Sequence, residues 1–507
     1  MNMQNNVIDY LNNIVKEKPD KVAYADDKDA YTFKQVYDYS RSVASYIAGM
    51  GLHRAPVVVF MRKHPKEIIS FFGVITAGCF YIPIDEEMPT VRIQMILDNV
   101  KSGLILCDDA MKVKAAAFDT DARIVTFDEI CDTPVDNDRL TEIHDKALDT
   151  DPIYIVFTSG STGVPKGVCA CHRSVLDYIE QLSETLNFGE DTVFGNQTPL
   201  YFDASLKEVY PTLKFGATTY LIPKGLFMFP IKLVEFMNEK KINTICWVVS
   251  ALTMISAYGA FDSVKPEYLH TIAFGSEVFP IKQFRIWKSV LPNAAFTNLY
   301  GPTEGTGMCC YYHVDREFEE GEAIPIGGPF KNTEILLLND KNELASGDET
   351  GEICIRGTGV TLGYYNNPEK TAECFVQNPL NTAYPEIIYR TGDIGKRNDR
   401  GELVFVSRKD YQIKHMGHRI ELGEIEAAVN MVEGVKLSGC IYDNENGKIV
   451  LFYVGDIDKK DMIRALKEKL PRYMLPNQVN ILSEMPFTGN GKINRNELKR
   501  MYKEENA

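Results

Sequence analysis

The segment TSGSTGVPKG, residues 158–167, places three glycines, four hydroxyl side chains and one lysine directly after an apolar run. Glycine leaves backbone N–H groups free to turn toward an anion, and hydroxyl groups can donate to phosphate oxygens. A lysine adds a positive point charge. The residue types and their spacing predict a phosphate-binding loop made of Thr158, Ser159, Gly160, Ser161, Thr162, Gly163 and Lys166.

The loop differs from the common Walker-type pattern G-x-x-x-x-G-K-[ST], although the spacing from Gly160 to Lys166 is the same. Pro165 stands in place of the second glycine, and Gly167 replaces the hydroxyl residue that holds magnesium. A nucleotide site built on this loop therefore needs a metal ligand from another part of the chain. An exposed glycine- and serine-rich turn is the alternative, and the full ten-residue string favours the phosphate loop.

Length and composition limit the class of protein. A chain of 507 residues exceeds what one hydrophobic core usually covers, so at least two domains are expected. The net charge of −15 argues against nucleic acid or an anionic membrane as the main partner. The eleven cysteines form no C-x-x-C pair, and the N-terminus lacks the apolar core of a signal peptide. We expect a cytoplasmic, monomeric protein with reduced thiols and no membrane-spanning segment.

Short β-branched runs alternate with amphipathic segments through the first 400 residues, which predicts an α/β fold with layered, mixed and parallel sheets. After residue 405 the pattern changes. A helix is predicted over 419–432, two strands flank the turn sequence NENG (444–447), and a second helix is predicted over 459–470. The chain is therefore predicted to comprise a large N-terminal α/β domain, 1–409, and a small, mobile α+β domain, 410–507.

Seven further strings accompany the loop in a characteristic order. They are TAGCFYIPID (76–85), TNLYGPTE (297–304), TGEICIRGTGVTLGYY (350–365), YRTGDI (389–394), SRKDYQIKHMGHRIELGEIE (407–426), LPRYMLP (470–476) and GNGKINR (489–495). With the loop, they resemble the adenylate-forming superfamily, which includes acyl-CoA synthetases, luciferases and the amino-acid adenylation domains of nonribosomal peptide synthetases. The resemblance covers nearly the whole chain.

This resemblance implies a ligase that works in two steps. A carboxylate attacks the α-phosphorus of ATP and gives an acyl-adenylate and pyrophosphate, and a thiol then takes the acyl group. Bringing an anion against a polyanion requires positive charge and positioning. The resemblance assigns the catalytic lysine to Lys492 and the Mg²⁺ ligand to Glu304, with Thr303 beside it in the same motif.

The remaining nucleotide contacts are also implied by the resemblance. Asp393 matches the carboxylate that grips both ribose hydroxyls, Arg408 a ribose or phosphate contact, and Tyr300 the ring that stacks on adenine. The full implied ATP-binding set is Thr158, Ser159, Gly160, Ser161, Thr162, Gly163, Lys166, Gly275, Ser276, Glu277, Asn298, Tyr300, Gly301, Thr303, Asp393, Arg408 and Lys492. Taken singly, several of these residues would pass for ordinary turns or surface charges, whereas the ordered set favours function.

The small domain is implied to rotate between the two steps. Asp410 matches the hinge, and Gly417 lines the approach of the thiol. Ser407 replaces the usual glycine before Arg408, which leaves the local loop geometry open.

Asp203, in the string YFDAS, points to the substrate. It resembles the aspartate with which amino-acid activators pair the substrate ammonium, and a buried carboxylate does need a cationic partner. The alternative is a helix cap that satisfies the amides of residues 204–207. The implied pocket is Asp203, Ala204, Lys207, Cys246, Ile272, Phe274, Leu299, Gly307 and Met308. Phe274 is expected to narrow it. Lys207 leaves two possibilities open, an acidic substrate or a small to medium neutral one with this lysine extended to solvent.

The sequence contains no carrier-domain or condensation-domain motif, so the carrier protein with its phosphopantetheine thiol is expected to act in trans, unless the chain is excised from a longer protein. A D-alanine–carrier protein ligase is the second possibility, against which stands Phe274, since a small cysteine occupies that position in those enzymes. An aryl- or fatty-acid CoA ligase is disfavoured by Asp203 and Pro302. A catalytically silent nucleotide-binding module is disfavoured by the retention of Lys492 and Glu304.

Overall fold

The computed structural model describes residues 4–160, 164–319, 321–487 and 493–506. Four of the predicted site residues, Ser161, Thr162, Gly163 and Lys492, lie outside the described residues. The helices of the described part are α1 Ile8–Glu17, α2 Phe33–Gly49, α3 Pro65–Thr76, α4 Thr90–Val100, α5 Asp109–Ala115, α6 Phe127–Ile130, α7 Asn137–Asp145, α8 His172–Leu186, α9 Leu206–Phe215, α10 Pro230–Glu239, α11 Val249–Ala257, α12 Ile281–Val290, α13 Pro368–Cys374, α14 Leu422–Asn430, α15 Lys459–Lys467 and α16 Arg495–Asn506.

The strands, many of them rich in β-branched residues, are β1 Val22–Ala25, β2 Ala30–Thr32, β3 Pro56–Phe60, β4 Phe80–Pro83, β5 Leu104–Cys107, β6 Arg123–Thr126, β7 Pro152–Thr158, β8 Lys166–Cys171, β9 Val193–Asn196, β10 Thr218–Leu221, β11 Thr244–Val248, β12 Thr271–Gly275, β13 Ala295–Tyr300, β14 Cys310–His313, β15 Gly328–Pro329, β16 Thr333–Leu338, β17 Gly351–Gly357, β18 Phe375–Gln377, β19 Ile387–Arg397, β20 Leu403–Arg408, β21 Gln412–His415, β22 His418–Glu421, β23 Val435–Asp443, β24 Lys448–Gly455 and β25 Gln478–Ile481.

The chain divides into two compact units. The first comprises residues 1–86, 100–156 and 167–409, and the second comprises 87–99, 157–166 and 410–507. The second unit therefore draws two short segments from the first half of the sequence in addition to the C-terminal hundred residues. The predicted two-domain division, 1–409 and 410–507, stays a prediction.

Three sheets organise the first unit. One has six strands in the order β6-β5-β3-β4-β7-β8, and one has nine in the order β15-β14-β13-β12-β11-β9-β10-β1-β2. Their central strands pair in parallel, and helices between consecutive strands supply the crossovers that parallel pairing requires. The third sheet, β16 to β20, is antiparallel. These mixed and parallel sheets confirm the predicted α/β fold class.

Apolar side chains cover both faces of the nine-stranded sheet. One face belongs to a core that includes residues of α8 and α9, and the other to a core that includes α11 and α12. Strands buried on both faces are near-continuous apolar runs rather than alternating ones. Two such strands, β11 and β12, carry candidate pocket residues.

The second unit contains the hairpin β21–β22, the three-stranded sheet β23-β24-β25 and helices α14 to α16. The turn predicted at NENG is confirmed, because β23 and β24 pair antiparallel up to Asp443 opposite Lys448. The helix predicted over 419–432 is shorter than expected. Residues 418–421 form strand β22 instead, and α14 begins at Leu422. Among the described residues no helix is long and apolar enough to cross a membrane.

Candidate active site

Three of the predicted nucleotide contacts meet in the first unit. Tyr300 ends β13, and its hydroxyl donates to Asp393 Oδ2 at 2.5 Å. Asp393 lies on β19 opposite Arg408 of β20, whose Nη1 donates to Asp393 Oδ1 at 2.5 Å. The Asp393 carboxylate is buried, and burial, followed by its negative charge, raises the pKa of Tyr300 well above the usual value. The structure thus joins the phenol of Tyr300 to a carboxylate and a guanidinium that lie at least 93 residues later in the sequence.

Glu304, the predicted metal ligand, is fully buried in the short 3₁₀ turn Thr303–Gly305. Its Oε1 accepts a hydrogen bond from the Tyr364 hydroxyl at 2.7 Å, and its carbonyl accepts one from Thr361 N at 3.0 Å. These contacts fix the carboxylate. Because Mg²⁺ prefers oxygen ligands and is commonly held by one or two carboxylates together with substrate phosphates, the Glu304 carboxylate fits that ion.

The segment Gly275–Glu277 is shaped by close packing. A Cβ at Gly275 would lie 2.3 Å from the carbonyl oxygen of Leu299, so only glycine fits there. Ser276 has a positive φ of 69°. Glu277 Oε2 accepts from Ser250 N at 2.7 Å and so caps the first turn of α11. Asn298 Nδ2 donates to the carbonyl of Pro325 at 2.8 Å.

Gly301 is also constrained by packing, because a Cβ there would lie 2.4 Å from the carbonyl oxygen of Gly307. This close approach brings the end of β13 against the residues that follow the Thr303–Gly305 turn. The segments 275–277, 298–301 and 303–305 therefore belong to one closely packed part of the first unit.

The described part of the phosphate loop belongs to the second unit, where carboxylates meet its donors. Gly160 N donates to Glu424 Oε2 at 3.3 Å, and Lys166 Nζ lies 3.8 Å from Glu421 Oε1. Arg92 forms a buried ion pair with Glu424. The loop therefore presents a backbone amide and an ammonium group to anionic oxygens, which is the chemistry that a phosphate would use.

Two hydroxyl groups of the loop also have partners within the second unit. Ser159 Oγ donates to the carbonyl of Arg419 at 2.8 Å, and Thr158 Oγ1 donates to the carbonyl of Lys166 at 3.4 Å. Sequence reasoning missed Arg92, Glu421 and Glu424 as partners of this segment. Their only signal in the sequence was the charge of the string ELGEIE and of Arg92 in α4.

Asp203 begins the helical segment that leads into α9. It lies in the 3₁₀ turn Asp203–Ser205, and its carboxylate is half-buried. Burial raises the pKa of Asp203, although Thr303 and the charge of Lys207 oppose the rise. Neither this turn nor α9 has a side-chain capping hydrogen bond. The raised pKa of Asp203 is that expected of a carboxylate that lacks a full positive partner.

The register of the sheet separates the predicted pocket residues into two groups. Cys246 of β11 is paired with Ala273 of β12, and Leu299 of β13 is paired with Gly275. Side chains alternate along a strand, so Cys246, Ala273 and Leu299 share one face, and they belong to the same buried core as Met308.

Ile272 and Phe274 lie on the opposite face of β12. Both belong to the core built around α11 and α12, and the Phe274 ring stands 5.0 Å from that of Phe279. The structure does not bring them together with Cys246 and Leu299. Phe274 consequently does not narrow the candidate pocket, and the argument against D-alanine that rested on its bulk is lost.

Tyr178 of α8 completes the face that carries Cys246. A Cβ at Gly307 would lie 2.9 Å from the Tyr178 ring, so the absence of a side chain at Gly307 makes room for that ring. The charges of Cys246, Asp203 and Glu208 each help to raise the pKa of Tyr178, after burial. Sequence reasoning missed Tyr178, Ala273 and Glu208. The apolar periodicity of α8 alone does not single out Tyr178.

Lys207 and Glu208 lie side by side in the first turn of α9, and both are buried, with Lys207 3% exposed and Glu208 0%. Glu208 Oε2 accepts from Asn196 Nδ2 at 3.1 Å. Burial raises the pKa of Glu208 to about 7, against the effects of Lys207, Asn196 and Lys63. Lys63 Nζ donates to the carbonyls of Asn196 and Gln197 at 3.0 Å each. A buried group of opposite charges thus lies at the start of α9.

The raised pKa of Glu208 predicts a pH-dependent contribution to stability. The Glu208 carboxyl keeps its proton in the folded protein up to about pH 7 but loses it in the unfolded chain above its usual pKa of 4.5. The free energy of unfolding therefore falls as the pH rises through this window. We expect Glu208→Gln to match the wild type near pH 5 and to exceed it at pH 8, by at most about 3 kcal/mol.

Chemical denaturation at pH 5 and pH 8 measures this difference. Glu445→Gln, at an exposed position, is the matched control and should follow the wild type at both pH values. If the free energies of unfolding of Glu208→Gln and the wild type differed by the same amount at both pH values, the raised pKa of Glu208 would be ruled out.

Two predicted residues of the thioester-forming step lie in the second unit. Asp410 Oδ1 accepts from Gln412 N at 3.2 Å at the start of β21. Gly417 and Met416 join β21 to β22 in a two-residue turn, with φ values of 79° and 51°. Positive φ at both positions is typical of the type I′ hairpin, in which glycine is favoured.

Comparison with known proteins gives the relatives of this chain. The family model for the AMP-binding enzyme matches residues 11–365. The D-alanine--D-alanyl carrier protein ligase of Bacillus cereus (strain G9842) is 32% identical over 95% of the chain and 96% of the ligase. Bacitracin synthase 1 of Bacillus licheniformis is 31% identical over 95% of the chain, but the chain spans only 9% of that relative's length.

A solved structure shares the fold. The Vibrio cholerae adenylation domain AlmE, solved with glycyl-adenosine-5′-phosphate, superposes with a TM-score of 0.84 at 20% identity, over 99% of each chain.

Proposed function

The chain belongs to the AMP-binding enzyme family and is an ATP-dependent, AMP-forming ligase, and we propose that its substrate is an amino acid. In the proposed reaction the amino-acid carboxylate attacks the α-phosphorus of ATP, releasing pyrophosphate. The acyl group then passes to the phosphopantetheine thiol of a carrier protein. The single observation that carries the proposal is Asp203, a half-buried carboxylate whose pKa is raised by burial.

The ammonium group of an amino acid supplies the positive charge that Asp203 lacks. Aryl and fatty acids have no such group and would leave the carboxylate without a partner, which is costly in a desolvated site. One relative of the chain, a D-alanine--D-alanyl carrier protein ligase, supports an amino-acid substrate.

Residues of the first unit supply the proposed nucleoside contacts. Asp393 holds the ribose hydroxyls while Tyr300 and Arg408 orient its carboxylate, and Tyr300 presents its ring to adenine. Glu304 is the proposed Mg²⁺ ligand, and the ion would neutralise phosphate charge. The loop residues Thr158 to Lys166 are proposed to hold phosphates, since the amide of Gly160 and the ammonium of Lys166 already meet carboxylate oxygens.

Exchange of labelled pyrophosphate into ATP tests the reaction class. We expect exchange with at least one amino acid and none with benzoates or fatty acids. Exchange with benzoates or fatty acids alone would favour a CoA ligase. The D-alanine–carrier protein ligase remains the second candidate, favoured by the 32% identity over nearly the full length of both chains.

Asp393→Asn should weaken ATP binding, because a hydrogen bond to a charged group contributes about 1.5–3 kcal/mol, or roughly a 10- to 100-fold rise in KM for ATP. The decisive comparison uses 3′-deoxy-ATP. The wild type should bind the deoxy analogue more weakly than ATP, whereas the variant should hardly distinguish the two.

Asp399→Asn, at an exposed turn position, is the control and should behave like the wild type. If Asp393→Asn discriminated against 3′-deoxy-ATP as strongly as the wild type does, Asp393 would not be the group that binds the ribose 3′-hydroxyl.

A further inference from the structure

A cavity of about 280 Å³ lies within the first unit, apart from the candidate active site. Helices α1, α2 and α7 line it, together with the end of α3 and the start of α8. Pro152, which begins β7, also lines it, so the cavity borders the amino end of this strand. Ligands of open parallel sheets normally bind at the carboxyl ends of the strands. Of the described residues that line the cavity, none belongs to the predicted nucleotide or substrate set.

His172, at the start of α8, brings a hydrogen-bond donor to the cavity wall. The residue is 4% exposed, and burial lowers its pKa to about 4, so the ring is neutral near pH 7. Its Nδ1 accepts from Val7 N at 3.3 Å, which places the single ring proton on Nε2. Among the residues that the structure describes, this Nε2–H has no hydrogen-bond partner.

Asn6 and Thr76 add two further polar groups to the wall. Asn6 is 6% exposed, and its Oδ1 accepts from Ile8 N at 3.0 Å, which leaves Nδ2 as the end without an acceptor in the described part of the chain. Thr76 Oγ1 is buried and likewise lacks a partner there. Because buried polar groups are normally hydrogen-bonded to protein or to ordered water, these groups require a partner inside the cavity.

Two of the charged side chains in the wall are already neutralised. Asp151 Oδ1 lies 3.0 Å from Arg54 Nε, and His144 Nε2 lies 2.7 Å from Asp9 Oδ1. These ion pairs leave little net charge of their own at the cavity.

Lys16 and Arg41 supply the uncompensated charge. Neither forms an ion pair with an acidic residue within the described ranges, although the chain carries a net charge of −15. Arg41 Nη2 donates to the neutral Asn137 Oδ1 at 2.7 Å, and its guanidinium lies over the Tyr37 ring, 5.1 Å from the centroid. Two cations and several donors without acceptors therefore favour an anionic occupant.

The remainder of the wall is aliphatic, and includes Ile8, Ile75, Leu140 and Ile143. An occupant of this cavity therefore needs an apolar part as well as an anionic one. The volume of about 280 Å³ equals the share of roughly nine water molecules in the liquid, so only a compound of about that many non-hydrogen atoms fits.

We propose that this cavity binds a small organic anion, namely a carboxylate or phosphate attached to a short aliphatic group. The anionic oxygens accept from His172 Nε2 and Asn6 Nδ2, and their charge is balanced by Lys16 and Arg41. The site is separate from the proposed adenylation and does not depend on it. The competing interpretation is that ordered water alone fills the cavity and satisfies the same donors.

Ligand-detected NMR titration of the full chain separates these interpretations. The probes are butyrate, butyl phosphate and butylammonium, each added in the presence of saturating AMP to keep the nucleotide site occupied. We expect saturable binding of at least one of the two anions, tighter than that of butylammonium, because the wall offers donors and positive charge. The ratio of the two anion Kd values tells a carboxylate site from a phosphate site.

Arg41→Gln should raise the Kd of the better anion by at least about 10-fold, since the ligand loses hydrogen bonds to a charged group. Lys16→Gln, at an exposed position on α1, should raise it by about 2- to 5-fold, as expected of an ion pair open to solvent. Lys232→Gln, at an exposed position on α10, is the control and should keep the wild-type Kd.

Three results would overturn the proposal. They are the absence of saturable binding of either anion, tighter binding of butylammonium than of both anions, and an unchanged Kd in both Lys16→Gln and Arg41→Gln. The first would leave water as the occupant, and the third would place the anion elsewhere. Should Arg41→Gln fail to fold, the wild type and Lys16→Gln still decide the question.

Discussion

Asp203→Ala is expected to reduce amino-acid-dependent pyrophosphate exchange by about 10²- to 10³-fold, since breaking a buried charge pair costs about 3–5 kcal/mol. In the free protein the Asp203 carboxylate is desolvated and only partly compensated by Thr303 and Lys207. In the proposed complex the substrate ammonium completes its pairing, and alanine would leave that ammonium in a desolvated site without a counter-charge. The loss should fall mainly on kcat/KM for the amino acid.

Two measurements show that the loss is local. The KM for ATP should change little in Asp203→Ala, because the proposed nucleoside contacts at Tyr300 and Asp393 do not involve this residue. Glu334→Gln, at an exposed position on β16, should behave like the wild type. Undiminished exchange in Asp203→Ala would remove the ammonium-anchor argument and with it the main support for an amino-acid substrate.

Lys492→Ala is the second large expected effect. If the Lys492 ammonium bridges the substrate carboxylate and the α-phosphate, its removal leaves two anions to approach each other without compensation. Removing one such electrostatic contact typically lowers the rate by about 10²- to 10³-fold, and exchange should fall at least that much. Lys492 lies outside the described residues, so this expectation rests on the string GNGKINR alone.

Transfer of the aminoacyl group to the carrier thiol, the second step of the reaction, serves as the control measurement for Lys492→Ala. When the aminoacyl-adenylate is supplied ready-made, transfer to the carrier thiol should proceed in Lys492→Ala at close to the wild-type rate, because the proposed role of Lys492 is confined to the first step. Lys499→Ala, an exposed lysine on α16, should leave both steps unaffected. Full exchange activity in Lys492→Ala would refute the assignment of the catalytic lysine.

The sequence predicted the fold class and the hairpin of the C-terminal hundred residues well. Strand–helix alternation indicated the parallel sheets, and the turn sequence NENG lies between two antiparallel strands. The predictions succeeded where the signal is local, because a turn or an apolar period depends on residues close together in sequence.

Which face of a buried strand lines the pocket is not a local property. TIAFG forms β12 and is apolar at nearly every position, so its periodicity does not tell Ala273 from Phe274. A one-residue difference in alignment exchanges the two faces. Only the pairing of β12 with Cys246 on one side and Leu299 on the other shows that Ala273 shares their face.

Partners that are distant in sequence were likewise beyond prediction. Glu424 meets Gly160 across 264 residues, and Lys63 lies beside the carbonyl of Gln197 across 134. Each of these charges, taken from the sequence alone, would pass for an ordinary solvated side chain. Their significance comes from burial and neighbours, which depend on the complete fold.

The oxygen atoms of the substrate carboxylate offer the most direct test of carboxylate attack on the α-phosphorus. The amino acid that supports the fastest exchange is labelled with ¹⁸O in its α-carboxylate and incubated with ATP and hydroxylamine, which traps the activated acyl group. Mass spectrometry of the products should then show one ¹⁸O atom in AMP and none in pyrophosphate. Label in inorganic phosphate together with ADP, or AMP without label, would contradict the proposed adenylation.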